Sequence, residues 1–254
     1  MTGNNITTQN QNTQKMENNI ITDFQKSQAW IDKRIGKFTS SEIHKLFGAK
    51  TTADTPLAVT AKTYILDKFS ELTTGFAKEI TGRPLEWGTM QEPYAKQELV
   101  NRHQARMWES EFIQSPEMAC YGGSPDGWIE IDGVKHTVEI KCPYNTTEHY
   151  KNIWLTGDPV TWKKDYPELY WQLQSNMYLQ GYIKGLFVTY DPRIKIGNSG
   201  YYEAFIDRNE DDIALMLIQL NKAYIELQAI GFLFDINIDE MFGIERKLLR
   251  SDGQ

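Results

Sequence analysis

The sequence predicts an α/β protein, because strand-like and helix-like periodicities both occur along the chain. Between Trp128 and Cys142, apolar and polar side chains alternate as they do in half-buried strands. After Pro167, apolar residues recur every three or four positions, which is typical of one helix face. With 254 residues and 40% hydrophobic side chains, the chain is long enough to bury a substantial core.

The first residues differ in composition from the rest of the chain. They are rich in Asn, Gln and Thr with little to bury, so we predict a disordered polar tail over 1–22 and a single domain over 23–254. No apolar run approaches ~18 residues, and no signal peptide is visible, so we expect neither a membrane span nor secretion. Cys120 and Cys142 form no CxxC pair, which suits a reducing cytosol.

The net charge of -7 argues against a protein that coats DNA tightly without regard to sequence, because such affinity comes mostly from Lys and Arg. It does not exclude a DNA enzyme, since a locally basic groove can lie on an acidic body. Carboxylates that bind a metal ion also add negative charge to the free protein.

The first predicted helix follows Thr39. Thr39-x-x-Glu42 before an apolar run is a capping-box pattern, and Gly48 is the expected stop. Free amides, the Ser41 hydroxyl and the nearby Arg34 would together suit a phosphate group. The alternative is an ordinary capped helix with an exposed arginine.

A long helix is predicted from Leu85 to about Glu109. One face of it carries Leu85, Gly88, Glu92, Ala95 and Leu99. Glu92 therefore shares a face with small and apolar residues, where a carboxylate must be paired, protonated or bound to metal. From local sequence, a salt bridge and a metal ligand are equally good explanations.

A β-hairpin turned at Asp132-Gly133 is predicted next, because strand-like alternation flanks this dipeptide. In its second strand Glu139 and Lys141 point to the same face, since side chains alternate with period two. Asp126 lies in the connection just before the first strand.

These residue types suit metal-dependent hydrolysis of a phosphodiester. Mg²⁺ prefers hard oxygen ligands, which Asp126, Glu139 and the Ile140 carbonyl would supply. Lys141 would orient the attacking water or contact the phosphate as a point charge. The alternative is a surface hairpin with one salt bridge.

Further elements complete the α/β pattern. A helix over Leu169–Tyr182 has a polar stripe that includes Gln172, which is typical of an exposed face but is also able to contact a water or phosphate. Strands are predicted at Leu186–Tyr190 and Tyr201–Ile206. A strongly periodic helix that packs in the core follows, and we expect it to end at Gly231.

Taken together, these motifs resemble the lambda-exonuclease family, the YqaJ-type viral recombinase nucleases of the PD-(D/E)xK superfamily. The matching residues are Trp30, Arg34-x-Gly36, Thr39-x-Ser41-Glu42, Trp87-Gly88 with Glu92, Ser124-Pro125-Asp126-Gly127, Glu139-x-Lys141-Cys142-Pro143, Gln172-x-Gln174, Tyr190-Asp191-Pro192-Arg193 and Ile230-Gly231-Phe232. They extend through nearly all of the chain beyond the polar tail. One departure is Ser40, where the family leads us to expect a small apolar residue.

The resemblance implies a restriction-endonuclease-like core, with a central mixed β-sheet flanked by α-helices. It implies Mg²⁺-dependent digestion of one strand of duplex DNA from a 5′-phosphorylated end, with two ions per active site and Mn²⁺ as a substitute. Mononucleotides would be released 5′ to 3′, leaving a 3′ single strand for recombination. It also implies a toroidal homotrimer around DNA and a phage single-strand annealing protein as partner, in the cytoplasm of a bacterial host.

The resemblance also implies roles for individual residues. The implied catalytic set is Asp126, Glu139, Lys141, Glu92 and Gln172. Asp126, Glu139 and Glu92 would contact metal together with the Ile140 carbonyl. The implied set that holds the terminal 5′-phosphate is Arg34, Ser41 and Ser124. For Arg34 and Glu92, the resemblance thus favours function over the local structural alternatives.

Two other functions are compatible with the motifs. A restriction-type endonuclease would carry a sequence-reading element and cut closed circles. A non-catalytic module that binds DNA ends would keep the fold without the chemistry, although the intact Asp126, Glu139 and Lys141 argue against it. Iron–sulfur nucleases are excluded, because two cysteines cannot supply four cluster ligands.

Overall fold

Helices surround a mixed sheet in the computed structural model, which describes residues 28–48, 50–77 and 81–244; the predicted tail over 1–22 lies outside these ranges. In chain order the elements are α1 (Gln28–Arg34), β1 (Phe38–Thr39), a 3₁₀ helix (Ser40–Leu46), α2 (Val59–Thr74), α3 (Arg83–His103), β2 (Met107–Trp108), β3 (Ile113–Gln114), β4 (Tyr121–Gly123), β5 (Gly127–Ile131), β6 (Val134–Lys141), α4 (Thr146–Leu155), α5 (Pro159–Asp165), α6 (Pro167–Gln180), β7 (Lys184–Tyr190), β8 (Tyr201–Asp207), α7 (Glu210–Leu233) and α8 (Ile238–Met241).

The central sheet has five strands in the order β2-β5-β6-β7-β8. The β6–β7 pair is parallel and the other pairs are antiparallel, so the sheet is mixed, as expected. A smaller sheet, β1-β4-β3, lies beside it. The α/β class and the central mixed sheet are therefore confirmed.

The β5–β6 hairpin has the predicted turn. Ile131 pairs with Val134, so the loop contains only Asp132 and Gly133. Their φ angles of 51° and 76° are both in the left-handed region that a two-residue type I′ turn requires. The resulting register pairs Gly127 with Val138, which brings the residue before β5 close to the centre of β6.

The two faces of β6 contact different helices. On one face Val138 and Ile140 join a cluster with Ala95 and Leu99 of α3. The opposite face, which carries Glu139 and Lys141, contacts α6. The polar face of β6 is therefore covered in part by α6, which buries Glu139 and leaves Lys141 partly exposed.

The helix predicted after Thr39 is capped differently from the prediction. It is a 3₁₀ helix, and Thr39 makes no side-chain capping bond. Glu42 forms ion pairs with Lys45 and Lys68 instead of reaching back to the helix start. The helix ends at Leu46, before the expected stop at Gly48. The capping-box interpretation was therefore wrong, because a lysine of α2 competes for the glutamate.

Two helix ends also differ from the prediction. α3 stops at His103 and not near Glu109, because Gln104 takes a left-handed φ of 50° and the chain turns into β2. α7 continues through Gly231 to Leu233. A Cβ on Gly231 would lie 2.6 Å from the Ile236 carbonyl oxygen, so this glycine admits the returning chain and does not end the helix.

The cysteines are free, buried thiols. Burial is the main cause that raises the pKa of both Cys120 and Cys142 to about 12, so they stay protonated at neutral pH. Among the helices in the described ranges, none combines the length and the apolar character needed to cross a membrane.

Candidate active site

One cleft of about 600 Å³ brings together every residue that the sequence singled out for chemistry or phosphate binding. These residues are Arg34, Ser41, Glu92, Ser124, Asp126, Glu139, Ile140, Lys141 and Gln172. They come from α1, the 3₁₀ helix, α3, the β4–β5 connection, β6 and α6. Their convergence from distant parts of the chain is a tertiary result that no single motif predicts.

Glu139 is the most deeply buried acid of the cleft, with 1% of its surface exposed. Its Oε1 accepts a hydrogen bond from Lys141 Nζ at 2.7 Å, and its Oε2 accepts one from Asn176 Nδ2 at 2.9 Å. Burial raises the pKa of Glu139 above its ordinary value, although Lys141 and Asn176 act in the opposite direction. The carboxylate is thus held in one orientation by donors from two elements.

Asp126 is attached to the backbone of β6. Its Oδ2 accepts a hydrogen bond from the Ile140 N–H at 2.6 Å. Burial, followed by the charges of Glu139 and Glu92, holds the pKa of Asp126 well above its usual range. The nearby carboxylates therefore disfavour the ionisation of Asp126, and a cation beside it would relieve this repulsion.

Lys141 links β6 to α6. Its Nζ donates to Glu139 and also to Gln172 Oε1, at 3.1 Å. Burial would lower the pKa of Lys141, but the charges of Glu139 and Asp126 outweigh it and raise the pKa. The ammonium group therefore stays charged, and it fixes the Gln172 amide with its oxygen toward Lys141.

Glu92 lines the cleft and is paired with a lysine, so the salt-bridge explanation is confirmed and the metal-ligand explanation stays a prediction. Lys96 Nζ lies 2.8 Å from Glu92 Oε1 and 3.0 Å from Glu109 Oε1. Burial lowers the pKa of Lys96, but Glu92 and Glu109 raise it by more. The i,i+4 spacing of Glu92 and Lys96 is typical of an ion pair on a helix, whereas the contact with Glu109 was not predictable because Glu109 was placed inside the same helix.

The opposite end of the cleft is built around Arg34. Its Nη1 donates to Ser124 Oγ at 3.2 Å, and its Nη2 donates to Ser41 Oγ at 3.4 Å. Its guanidinium lies 4.2 Å from the centre of the Trp30 ring, and Trp30 Nε1 also donates to Ser124 Oγ at 3.0 Å. No described carboxylate lies within ion-pair distance of Arg34. Its hydrogen-bond partners in the described ranges are hydroxyl groups, so no described ion pair neutralises its charge.

The oxygen groups beside β6 suit a hard divalent cation. Among the residues that the structure describes, no three His, Cys, Asp or Glu side chains converge into a complete metal site. Asp126 and Glu139 with the Ile140 carbonyl offer the partial oxygen set that Mg²⁺ accepts alongside water, and they offer nothing that zinc would prefer. The mutual repulsion of these carboxylates points to the same chemistry.

Asn176 was not predicted as a site residue from the sequence. It lies on the polar stripe of α6 that we predicted to be exposed, yet Ser175 and Asn176 are fully buried. The prediction failed because α6 is covered on most sides: Tyr170, Trp171 and Leu173 are buried too. Consecutive aromatic residues beside the stripe were the available signal, since a helix that is apolar on several faces is usually buried.

The chain is similar to known proteins in both sequence and fold. The sequence matches the YqaJ-like viral recombinase domain over residues 29–183, a range that contains every cleft residue named above. No curated protein matches the sequence. An alkaline exonuclease from Laribacter hongkongensis is 26% identical, with a TM-score of 0.70 over 82% of this chain and 96% of that one.

A second structure of that Laribacter hongkongensis protein, in complex with dAMP, is 28% identical, with a TM-score of 0.70 and the same coverage of 82% and 96%. A phage-related exonuclease from Haemophilus somnus 129PT shares the fold, at 17% identity and a TM-score of 0.61 over 78% of this chain and 96% of that one. The family match spans more than half of the sequence. The chain therefore belongs to the YqaJ-like viral recombinase domain family.

Proposed function

We propose that the protein is a Mg²⁺-dependent 5′-to-3′ exonuclease of double-stranded DNA. It degrades one strand from a 5′-phosphorylated end and leaves a 3′ single strand for phage-type recombination by strand annealing. The observation that carries this proposal is the meeting of an anion pocket and a carboxylate–lysine set in one cleft. Membership of a viral recombinase family and structural similarity to an alkaline exonuclease support it.

The Arg34 pocket would bind the terminal 5′-phosphate. Arg34 is held by Ser41 and Ser124 in a fixed orientation, and both hydroxyls are able to donate to phosphate oxygens. A planar guanidinium is suited to bind two phosphate oxygens at once. This pocket would make cleavage depend on an end, which favours an exonuclease over an endonuclease.

Asp126, Glu139 and the Ile140 carbonyl would hold the divalent cation, and Glu92 would contact a second ion. When bound, Mg²⁺ or Mn²⁺ would neutralise charge on the scissile phosphate and lower the pKa of the attacking water. The Ile140 N–H and Asn176 fix one oxygen of Asp126 and one of Glu139, which directs the remaining lone pairs. These contacts reduce the reorganisation needed during the reaction.

Lys141 and Gln172 would position the water and the phosphate. Lys141 lies between Glu139 and Gln172, where its positive charge can stabilise the charge that develops on phosphate oxygens. Because Gln172 presents its oxygen to Lys141, its amide nitrogen is left to donate to a phosphate or an oriented water.

The quaternary arrangement and the partners belong to the same proposal. We infer a toroidal homotrimer around DNA, because a subunit of net charge -7 needs another means of retention than electrostatic attraction. Phe232, Leu233 and Phe234 at the end of α7 are exposed, which suits a subunit interface. A phage single-strand annealing protein would take the 3′ strand in the bacterial cytoplasm, where free thiols are stable. A monomeric mass on DNA by light scattering would contradict the ring.

Digestion of linear duplex DNA with 5′-phosphate or 5′-hydroxyl ends, beside a closed circle, tests the activity with and without Mg²⁺. We expect Mg²⁺-dependent loss of one strand, faster from the phosphorylated end, with the circle left intact. Cutting of the circle would support the alternative of a PD-(D/E)xK endonuclease. Binding of ends without any cleavage would support the alternative of a catalytically inactive end-binding module.

A further inference from the structure

Two sequence motifs, Trp87-Gly88 and Asp191-Pro192-Arg193, have no part in the chemistry proposed above, yet they meet beside the cleft. The Arg193 guanidinium lies 4.3 Å from the centre of the Trp87 ring. Trp87 is on α3, the helix that carries Glu92, while Arg193 follows β7. The contact therefore joins the sheet to the helix that supplies the third carboxylate of the site.

Arg193 is oriented by a carboxylate of its own segment. Its Nε and Nη2 donate to the two oxygens of Asp191, at 2.8 Å each. The Asp191 side chain is fully buried and also accepts a hydrogen bond from Thr146 Oγ1 at 2.8 Å. Burial would raise the pKa of Asp191, but these donors outweigh it and lower the pKa to about 2. A charged, immobile carboxylate thus fixes the guanidinium plane.

The same guanidinium also binds the chain just beyond the active strand. Nη1 donates to the Tyr144 carbonyl at 2.9 Å, and Nη2 donates to the Pro143 carbonyl at 3.2 Å. β6 ends at Lys141, so these carbonyls directly follow the catalytic segment. We call the group of Trp87, Pro143, Tyr144, Asp191 and Arg193 the Arg193 clamp.

We propose that Arg193 is a positioning residue: the Arg193 clamp sets the distance between Glu92 on α3 and the Glu139–Lys141 face of β6. At Gly88 the helix passes close to the strand end, since a Cβ there would lie 3.8 Å from the Cys142 carbonyl oxygen. A lysine could not replace the arginine, because one ammonium cannot bind a carboxylate, two carbonyls and a ring face together. This role rests on the proposed nuclease activity.

Single-turnover cleavage by Arg193→Lys tests the role. We expect the rate to fall about tenfold or more, because small displacements of catalytic groups are costly, while KM for DNA and the active fraction stay close to wild type. Arg208→Lys is the matched control, since Arg208 also pairs with a carboxylate, Glu210, and donates to a carbonyl, that of Tyr182, outside the cleft. The control should cleave at the wild-type rate.

A double-mutant cycle with Glu92→Asp separates positioning from general stability. If the clamp acts through Glu92, Arg193→Lys should cost little further rate in the Glu92→Asp protein. The proposal would be overturned if the rate losses of the two single variants multiplied fully in the double variant. It would also be overturned by an unchanged rate in Arg193→Lys, or by a loss that a smaller active fraction explains. A wild-type protein that cleaves no DNA would instead defeat the proposed function.

Discussion

The two ends of the cleft have opposite electrostatic deficits. At one end a partly buried cation, Arg34, has hydroxyl and aromatic neighbours among the described residues. At the other end Asp126 and Glu139 crowd together, and their pKa values are raised. A phosphate would complete the first end and a divalent cation the second. Under the proposed function, these two deficits would separate recognition of a DNA end from hydrolysis of the bond.

The difference implies that variants at the two ends should fail in different ways. Loss of a group at the Arg34 end should change which DNA ends are chosen. Loss of a group at the carboxylate end of the cleft should change the rate of cleavage whichever DNA end is used. It could instead change the stability of the metal-free protein. The following variants test this division of the cleft into an end that selects DNA ends and an end that sets the cleavage rate.

The largest effect is expected for Lys141→Ala at the carboxylate end. Cleavage should fall by about 10²–10³-fold, because a preorganised charge beside the reacting phosphate is removed. DNA binding, measured by mobility shift, should be largely intact. Lys135→Ala is the control, since Lys135 lies on the same face of β6 at its exposed end. Equal losses of binding and cleavage would contradict the division.

Arg34→Ala should remove the preference for 5′-phosphorylated ends. We expect a loss of about 10–100-fold on phosphorylated DNA, in line with ~1.5–3 kcal/mol for a charged hydrogen bond, and little change on 5′-hydroxyl DNA. Paired digestions of the two substrates give the ratio. Lys33→Ala, one residue earlier on α1, should keep the wild-type preference. A uniform loss on both substrates would place Arg34 in general DNA binding.

Asp126→Asn should stabilise the metal-free protein. The raised pKa of Asp126 means that its ionisation opposes folding, a penalty that grows as pH rises from the ordinary aspartate range through the raised pKa. Asparagine keeps the acceptor for Ile140 without the charge, so we expect a gain of about 1–2 kcal/mol at neutral pH.

That gain should shrink as pH falls, because the wild-type carboxyl then becomes protonated. Chemical unfolding in EDTA at several pH values measures it. Glu130→Gln, at an exposed position of β5, should leave stability unchanged. A gain that does not depend on pH would show that the charge of Asp126 is not its cause.

Trp30→Phe should have the smallest effect. Phenylalanine keeps a ring beneath the Arg34 guanidinium but loses the hydrogen bond to Ser124. A net loss of ~0.5–1 kcal/mol corresponds to a few-fold weaker preference for the 5′-phosphate. The same paired digestions measure it, and a loss as large as that of Arg34→Ala would mean that the indole itself organises the pocket.

Much of the architecture was predictable, because local rules and tertiary packing agree there. The β5–β6 hairpin follows from its alternation and from Asp132-Gly133, and the motifs pointed to nine of the residues that line the cleft. Competition between distant groups was not predictable. Lys68 of α2 pairs with Glu42, which was expected to cap the 3₁₀ helix. Lys96 pairs with both Glu92 and Glu109, and Glu109 lies beyond the end of α3. Asn176 was hidden because a polar stripe does not reveal what covers it.

The two-residue turn of the hairpin also sets the register of β6, and with it which side chains face the cleft. Because β5 and β6 are joined without slack, chain length at Asp132-Gly133 determines which residue of β6 lies opposite Gly127. A slip of one position would turn Val138 and Ile140 into the cleft and Glu139 and Lys141 into the apolar cluster. An insertion or deletion at this solvent-facing loop would therefore remove Glu139 and Lys141 from the cleft, although it changes neither of them.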